Sequence, residues 1–266
     1  MSSTSVSGQK TAFAIVAHPD DIEFMMAGTL LLLKDAGVAI HLWNLCNGCY
    51  GSVQYGYEEI KRRRWEEAQA AAREIGAEIH PPIADDLTLF YDAPSIARVA
   101  AVIRRVKPDI ILTQPPLDYM EDHMNACRLA VTGAFAREIP NYGTLPPEPH
   151  YKGETVIYHA MPVGLMTGMR QPVEPESFVD IGTTLARKRS MLANHTSQGD
   201  WLSESQGMGS YLDQMEEFSR RMGTLSGRFE VAEGWQRHLH FGYSTEDADP
   251  IRDLLGDRVT PNPRLR

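Results

Sequence analysis

The sequence predicts an α/β fold on a mostly parallel sheet with helices on both faces. Three observations carry this. Short apolar runs of strand length alternate with longer stretches of helical apolar spacing. Glycines and polar turns separate the two kinds of segment. The 266 residues are enough for one large domain with its own core.

The elements follow in order. Residues 11–17 (TAFAIVA) read as a buried strand ending in a polar turn. Residues 22–35 read as one helix, with Phe24, Leu30, Leu31 and Leu33 at helical spacing and Gly37 as its stop. Residues 38–45 are a second strand, and 47–54, with Gly48 and Gly51, are a loop. Residues 58–75 form an amphipathic helix carrying Ile60, Trp65, Ala68, Ala72 and Ile75, closed by Gly76. A short strand is expected at 77–80, a helix at 96–106, a strand at 109–113 and a helix at 124–137. The Pro/Gly-rich stretch 141–153 reads as a long loop separating this core from a C-terminal α/β layer over 150–266. That layer has expected strands at 155–160 and 177–181 and helices at 183–194 and 208–222. The charged, Pro-bearing tail from Ser244 is expected to be peripheral, and residues 1–10 a disordered lead-in. The chain is thus read as one domain, with its chemistry in 11–140.

Composition bounds the function. With 42% hydrophobic and 23% charged residues this reads as an ordinary soluble protein. A formal net charge of −9 argues against nucleic-acid binding, and no run reaches membrane-spanning length. No signal-peptide pattern opens the chain, and three cysteines do not make a disulfide framework, so a cytoplasmic protein is expected. Cys46 and Cys49 have C-x-x-C spacing, but the Asn47-Gly48 turn between them explains it without redox chemistry.

The first strand ends in His18-Pro19-Asp20-Asp21. Ligands of open α/β sheets bind beyond the carboxyl ends of strands. Imidazole and carboxylate together suit zinc. By itself the run serves equally as an Asp N-cap of the next helix. A second cluster, Gln114 to His123 with Asp118, Glu121 and Asp122, follows the strand at 109–113, and two such clusters on neighbouring strand ends would converge. A catalytic zinc wants three protein ligands and an open position. His18, Asp21 and His123 supply that set, which leaves Asp20 as general base.

These residues carry a resemblance. Ala17-His18-Pro19-Asp20-Asp21-Ile22-Glu23, the Gly48 and Gly51 loop, Arg64 with Glu67 before Ala71-Ala72 and Gly76, Asp122-His123, and Lys188 with His195-Thr196-Ser197-Gln198 together resemble the LmbE-like or PIG-L family of zinc-dependent N-deacetylases, over about residues 12–200. The resemblance implies a Rossmann-like sheet, Zn2+ held by His18, Asp21 and His123, Asp20 as general base, and removal of an N-acetyl group from an N-acetylated amino sugar or glycoside such as a GlcNAc conjugate. It makes Arg64 a candidate substrate contact. Gly48 is a place where backbone can approach the substrate. One departure stands out: Met120 occupies the position of a family histidine that helps hold the tetrahedral intermediate. Thioether sulfur cannot donate a hydrogen bond. Tyr119, His195, His238 and His240 are the candidates to replace it. His238 and His240 alternate as on a strand. Glu23 is expected near the metal as an acceptor. Any of Trp43, Trp65, Trp201 and Trp235 could stack on a sugar or sit in the core. Met25, Met26, Met208, Met215 and Met222 read as packing residues. Two rival functions stay open: a catalytically degenerate, metal-free carbohydrate-binding protein on the same fold, and a metal hydrolase of another amide or an ester. The specific substrate and the oligomeric state, homo-oligomer included, are left open.

Overall fold

The computed structural model describes residues 8–199 and 211–265. Its centre is β1 (Thr11–Val16), five of whose six residues are buried. β1 pairs in parallel with β2 (Ala39–Asn44) on one side and β4 (Ile110–Thr113) on the other. β3 (Glu78–His80) and β5 (Val156–Ala160) extend the parallel order outward. The eight-stranded sheet then turns antiparallel through β7 (Ala232–Arg237), β6 (Ser177–Asp180) and β8 (Val259–Pro261), in the spatial order β3-β2-β1-β4-β5-β7-β6-β8. The α/β expectation holds, with a parallel half and an antiparallel C-terminal half.

Alternate residues of the strands feed two cores, as the period of two requires. Ala12, Ala14, Val16, Ile40, Leu42, Ile110 and Leu112 pack on one face, against α1 (Asp21–Met25), α2 (Ala27–Asp35) and Ala71, Ala72 and Ile75 of α3 (Tyr57–Ile75). Phe13, Ile15, Trp43 and Ile111 pack on the other, against α4 (Ala93–Val106) and α5 (Glu121–Phe135). Gly76 closes α3 at φ +64°, as its position implied.

Several expectations need correcting. The stretch 22–35 is two helices, broken at Met26 (φ −141°). At the break, Glu233 of β7 accepts the N–H groups of Gly28 (2.8 Å) and Thr29 (2.7 Å), the first turn of α2. A continuous helix would deny it those amides. Lys188, on α6 (Leu185–Ala193), pairs with the same Glu233 at 2.6 Å, far inside the fold. The tail is not peripheral: α8 (Pro250–Leu255) buries Ile251, and β8 closes the sheet edge. His238 and His240 follow β7 rather than lying on it. Trp43 and Trp235 are core, their indole N–H groups given to Pro81 O and Thr29 Oγ1. The expected helix at 208–222 is α7 (Tyr211–Ser226); Met208, Trp201 and residues 1–7 lie outside the described residues.

Candidate metal centre

In the order β3-β2-β1-β4-β5, chain connections leave β1 toward β2 on one side, while β4 lies on the other. Residues following β1 and β4 therefore meet in the crevice between them. His18 and Asp21 come from the first, His123 from the second. His18 Nδ1 lies 3.6 Å from Asp21 Oδ2, and His123 Nε2 lies 3.5 Å from Asp21 Oδ1. One donor atom from each of the three fits within 4.8 Å of the others.

The far side of each imidazole is also occupied. His18 Nε2 meets Asp122 Oδ2 at 3.1 Å, and His123 Nδ1 meets Asp118 Oδ1 at 3.1 Å. A carboxylate behind each ring fixes its orientation and aims the other nitrogen inward, the usual arrangement behind zinc-bound histidines. Asp122 and His123 are neighbours on α5, so they point in different directions, one behind His18 and one into the centre. Asp21 is held likewise: its Oδ2 accepts His18 N–H (2.7 Å) and Gln114 Nε2–H (2.9 Å). Burial opposes charge on all three groups. The facing His123 and His18 nonetheless bring Asp21 down to about 2, and the carboxylates raise both histidines above their ordinary range. Such a field attracts a positive ion, and the donor set fits zinc.

Asp20 stands apart from this triangle. It occupies the N-cap position of α1, yet its side chain makes no capping bond. Its backbone is left-handed, φ +101°, a conformation non-glycine residues rarely hold. The carboxylate turns instead to Arg64 Nη2 (3.6 Å) and accepts the Tyr211 hydroxyl proton at 3.0 Å. Burial pushes Asp20 up, Arg64 pulls it back and Asp21 pushes it up again, which leaves it at about 6. The cap reading of this residue is thereby displaced.

A cavity of about 330 Å³ opens over these groups. Its lining includes His18, Asp20, Asp21 and His123, with Arg64, Tyr119, Met120 and Tyr211. Tyr119 is exposed at the mouth, its ring edge-on to His123. Arg64 is buried and donates from Nη2 to Pro19 O (2.7 Å). Gly48 lies behind it at φ +77°, and a Cβ there would strike the Arg64 side chain. So Gly48 makes room for the arginine and does not line the cavity. His195 is buried beneath Asp20, with Nε2 3.2 Å from Glu23 Oε2, and also does not line it. Glu23 thus faces His195. His238 meets His159 (2.9 Å) and His240 meets Phe241, both away from Met120's place at the cavity. Glu67 accepts bonds from Thr196 and Ser197, which ties α3 to the His195 segment. The three cysteines are free and buried, and burial raises Cys46 to about 11.

Tyr211 was not legible as a site residue. Tyr211 sits in an ordinary amphipathic helix, where only its stacking on Phe24 (5.2 Å) and its hydroxyl's partner reveal it. Asp118, in the turn five residues before His123, already stood in the cluster read from the sequence.

Residues 13–135, the segment that builds both halves of this centre, match the family model described as PIG-L, GlcNAc-PI de-N-acetylase. Among curated proteins, this chain is 27% identical to the diacetylchitobiose deacetylase of Thermococcus kodakarensis over 196 residues, 71% of this chain and 70% of that protein. It is 28% identical to the 4-oxalmesaconate hydratase of Pseudomonas putida over 192 residues, 68% of this chain and 70% of that protein. Among solved structures, the N,N'-diacetylchitobiose deacetylase of Pyrococcus horikoshii aligns with TM-score 0.72 at 22% identity, covering 91% of this chain and 88% of that one. The 4-carboxy-2-hydroxymuconate hydratase of Pseudomonas putida aligns with TM-score 0.71 at 24% identity, covering 91% and 100%. At these identities the structures speak for the fold alone.

Proposed function

We propose that this protein is a zinc-dependent N-deacetylase acting on an N-acetylated amino sugar or glycoside. The observation that carries the reading is the division of labour between adjacent aspartates. Asp21 is locked between two histidines, while Asp20 turns away into the cavity wall with a carboxyl near neutrality. His18, Asp21 and His123 would hold the ion, which supplies a Lewis acid beside the attacking water and the scissile carbonyl. Asp20 takes a proton from that water as its oxygen bonds to the acetyl carbon. The protonated Asp20 then gives the proton to the amide nitrogen as the C–N bond breaks, so acetate and a free amine leave. Arg64 and Tyr211 hold Asp20 in place through both its oxygens. Tyr119, exposed at the mouth, offers a hydroxyl donor that Met120 lacks.

A second reading, hydration of a carbon–carbon double bond, is favoured by the hydratase relative. The cavity speaks against it. The hydratase structure named above acts on a polycarboxylate. Here Asp20, Asp21 and Asp86 line the cavity, and the guanidinium of Arg64 beside them is already engaged by Pro19 O and Asp20. A neutral amide fits that lining better than a substrate of several negative charges. The deciding experiment offers the zinc-loaded protein N,N'-diacetylchitobiose and, separately, 4-carboxy-2-hydroxymuconate. Acetate release with appearance of a free amine is expected. Loss of the conjugated substrate's absorbance with no acetate from any N-acetyl sugar would overturn the proposal.

A further inference from the structure

The edge of the sheet carries a second cluster of metal-ligating side chains. His41 lies on β2 directly opposite Glu78 of β3, and His80 is two residues further along β3. All three therefore sit on one face of the sheet. This is the face of α4 and α5, where Phe13 packs 5.1 Å from the His80 ring. The candidate catalytic centre lies elsewhere, beyond the carboxyl ends of β1 and β4.

We propose that His41, Glu78 and His80 form a second binding site for a zinc-class divalent cation. His41 Nδ1 lies 3.1 Å from His80 Nε2 and 3.7 Å from Glu78 Oε2. One donor atom from each of the three lies within 4.8 Å of the others. Four-coordinate zinc, with bonds of about 2.0–2.2 Å, sets its ligand atoms roughly 3.3–3.5 Å apart. The observed separations bracket that value and match the 3.5 and 3.6 Å of the His18–Asp21–His123 triangle. The donor set, two imidazoles and a carboxylate, is one that zinc accepts.

The surroundings keep both rings in the ligand form. Burial lowers His80, and the neighbouring His41 lowers it further; burial also lowers His41, against the pull of Glu78. Two neutral imidazoles 3.1 Å apart share one proton. When the ion enters, the donor ring moves that proton to its other nitrogen, so both facing lone pairs reach the metal and no proton is lost. On the inner side Phe13 and Trp43 wall the site. On the outer side Glu78 is exposed, which leaves a fourth position open to water.

The ion would staple a weak edge. β3 has three residues and pairs on one side only. It leads through Pro81 and Pro82 to Asp86, whose carboxylate accepts the N–H groups of Gly48 and Tyr50 in the loop beside the cavity. Occupancy would therefore steady that loop without adding a group to the catalytic crevice. Nothing in this proposal depends on which reaction the protein performs.

The test is a zinc count on the full-length protein, stripped with chelator, reloaded with Zn2+ and desalted. Two equivalents are expected for the unaltered chain. One is expected for the double variant His41→Gln with Glu78→Gln, and one for His123→Asn, altered only at the other centre. In the unaltered chain, zinc beyond the first equivalent should shift the ring-nitrogen resonances of His41 and His80. A single equivalent in the unaltered chain, undiminished zinc in the double variant, or unmoved His41 and His80 resonances would each overturn the site.

Discussion

Asp20 holds a left-handed backbone at φ +101° with a buried carboxylate, two costs that a plain helix cap would not incur. Arg64 and Tyr211 offset them by binding the carboxylate directly. If Asp20 moves the proton, Asp20→Asn keeps the zinc triangle and loses turnover by roughly two orders of magnitude or more. Metal content and kcat measured on the same preparation check this, and near-normal kcat with full zinc would remove Asp20 from its role. Tyr211 makes a subtler case. Tyr211→Phe removes one hydrogen bond to a charged group and leaves the ring on Phe24. Bonds of that kind are worth about 1.5–3 kcal/mol, so kcat should fall roughly tenfold or more with KM and zinc content little changed. An unaltered kcat would show that Arg64 alone positions the base.

The elements divide into those whose residues announce them and those that depend on distant partners. β1, β2 and β4 were legible because a buried parallel strand needs an unbroken apolar run. α3 and α4 were legible because one face is apolar and the other charged. The break at Met26 was not legible. From Asp21 to Leu33 every residue is buried, so no polar face marks a period, and the cause of the break is Glu233, more than two hundred residues away. β8 was missed because prolines and charges hide a three-residue edge strand. The convergence of His18, Asp21 and His123 was legible from two clusters at neighbouring strand ends, whereas Tyr211 reaches Asp20 only through tertiary packing of α7. Glu233 also yields a prediction at this scale. It receives two α2 amides and the buried Lys188 ammonium. Glu233→Ala strands all three, and leaving a buried charge unpaired costs about 3–5 kcal/mol. Urea unfolding should register that loss, while a change below about 1 kcal/mol would mean that water reaches Lys188.

For the whole molecule, the two halves of the sheet are joined where β5 meets β4 in parallel and β7 antiparallel. His159 of β5 stands at that join. Its Nδ1 donates to Gln114 O (2.9 Å), and its Nε2 faces His238 Nδ1 (2.9 Å), with the Cys127 thiol of α5 against the ring and Tyr243 edge-on to His238. No carboxylate is among these neighbours, so nothing compensates a charge there. Burial lowers His159 to about 4, its bond to Gln114 resisting and His238 adding to the fall. The sign of the pH effect follows. Above the unfolded value of about 6.5 the imidazole is neutral in both states and imposes no cost. As pH falls from there toward 4, the unfolded chain takes up a proton that the folded chain resists, and stability declines. This one group should withdraw on the order of 2–3 kcal/mol by pH 4. Denaturant midpoints at pH 7 and pH 5, compared between the unaltered chain and His159→Gln, isolate the contribution. The variant should lose less stability than the parent on acidification, and equal losses in both would place the acid sensitivity in other groups.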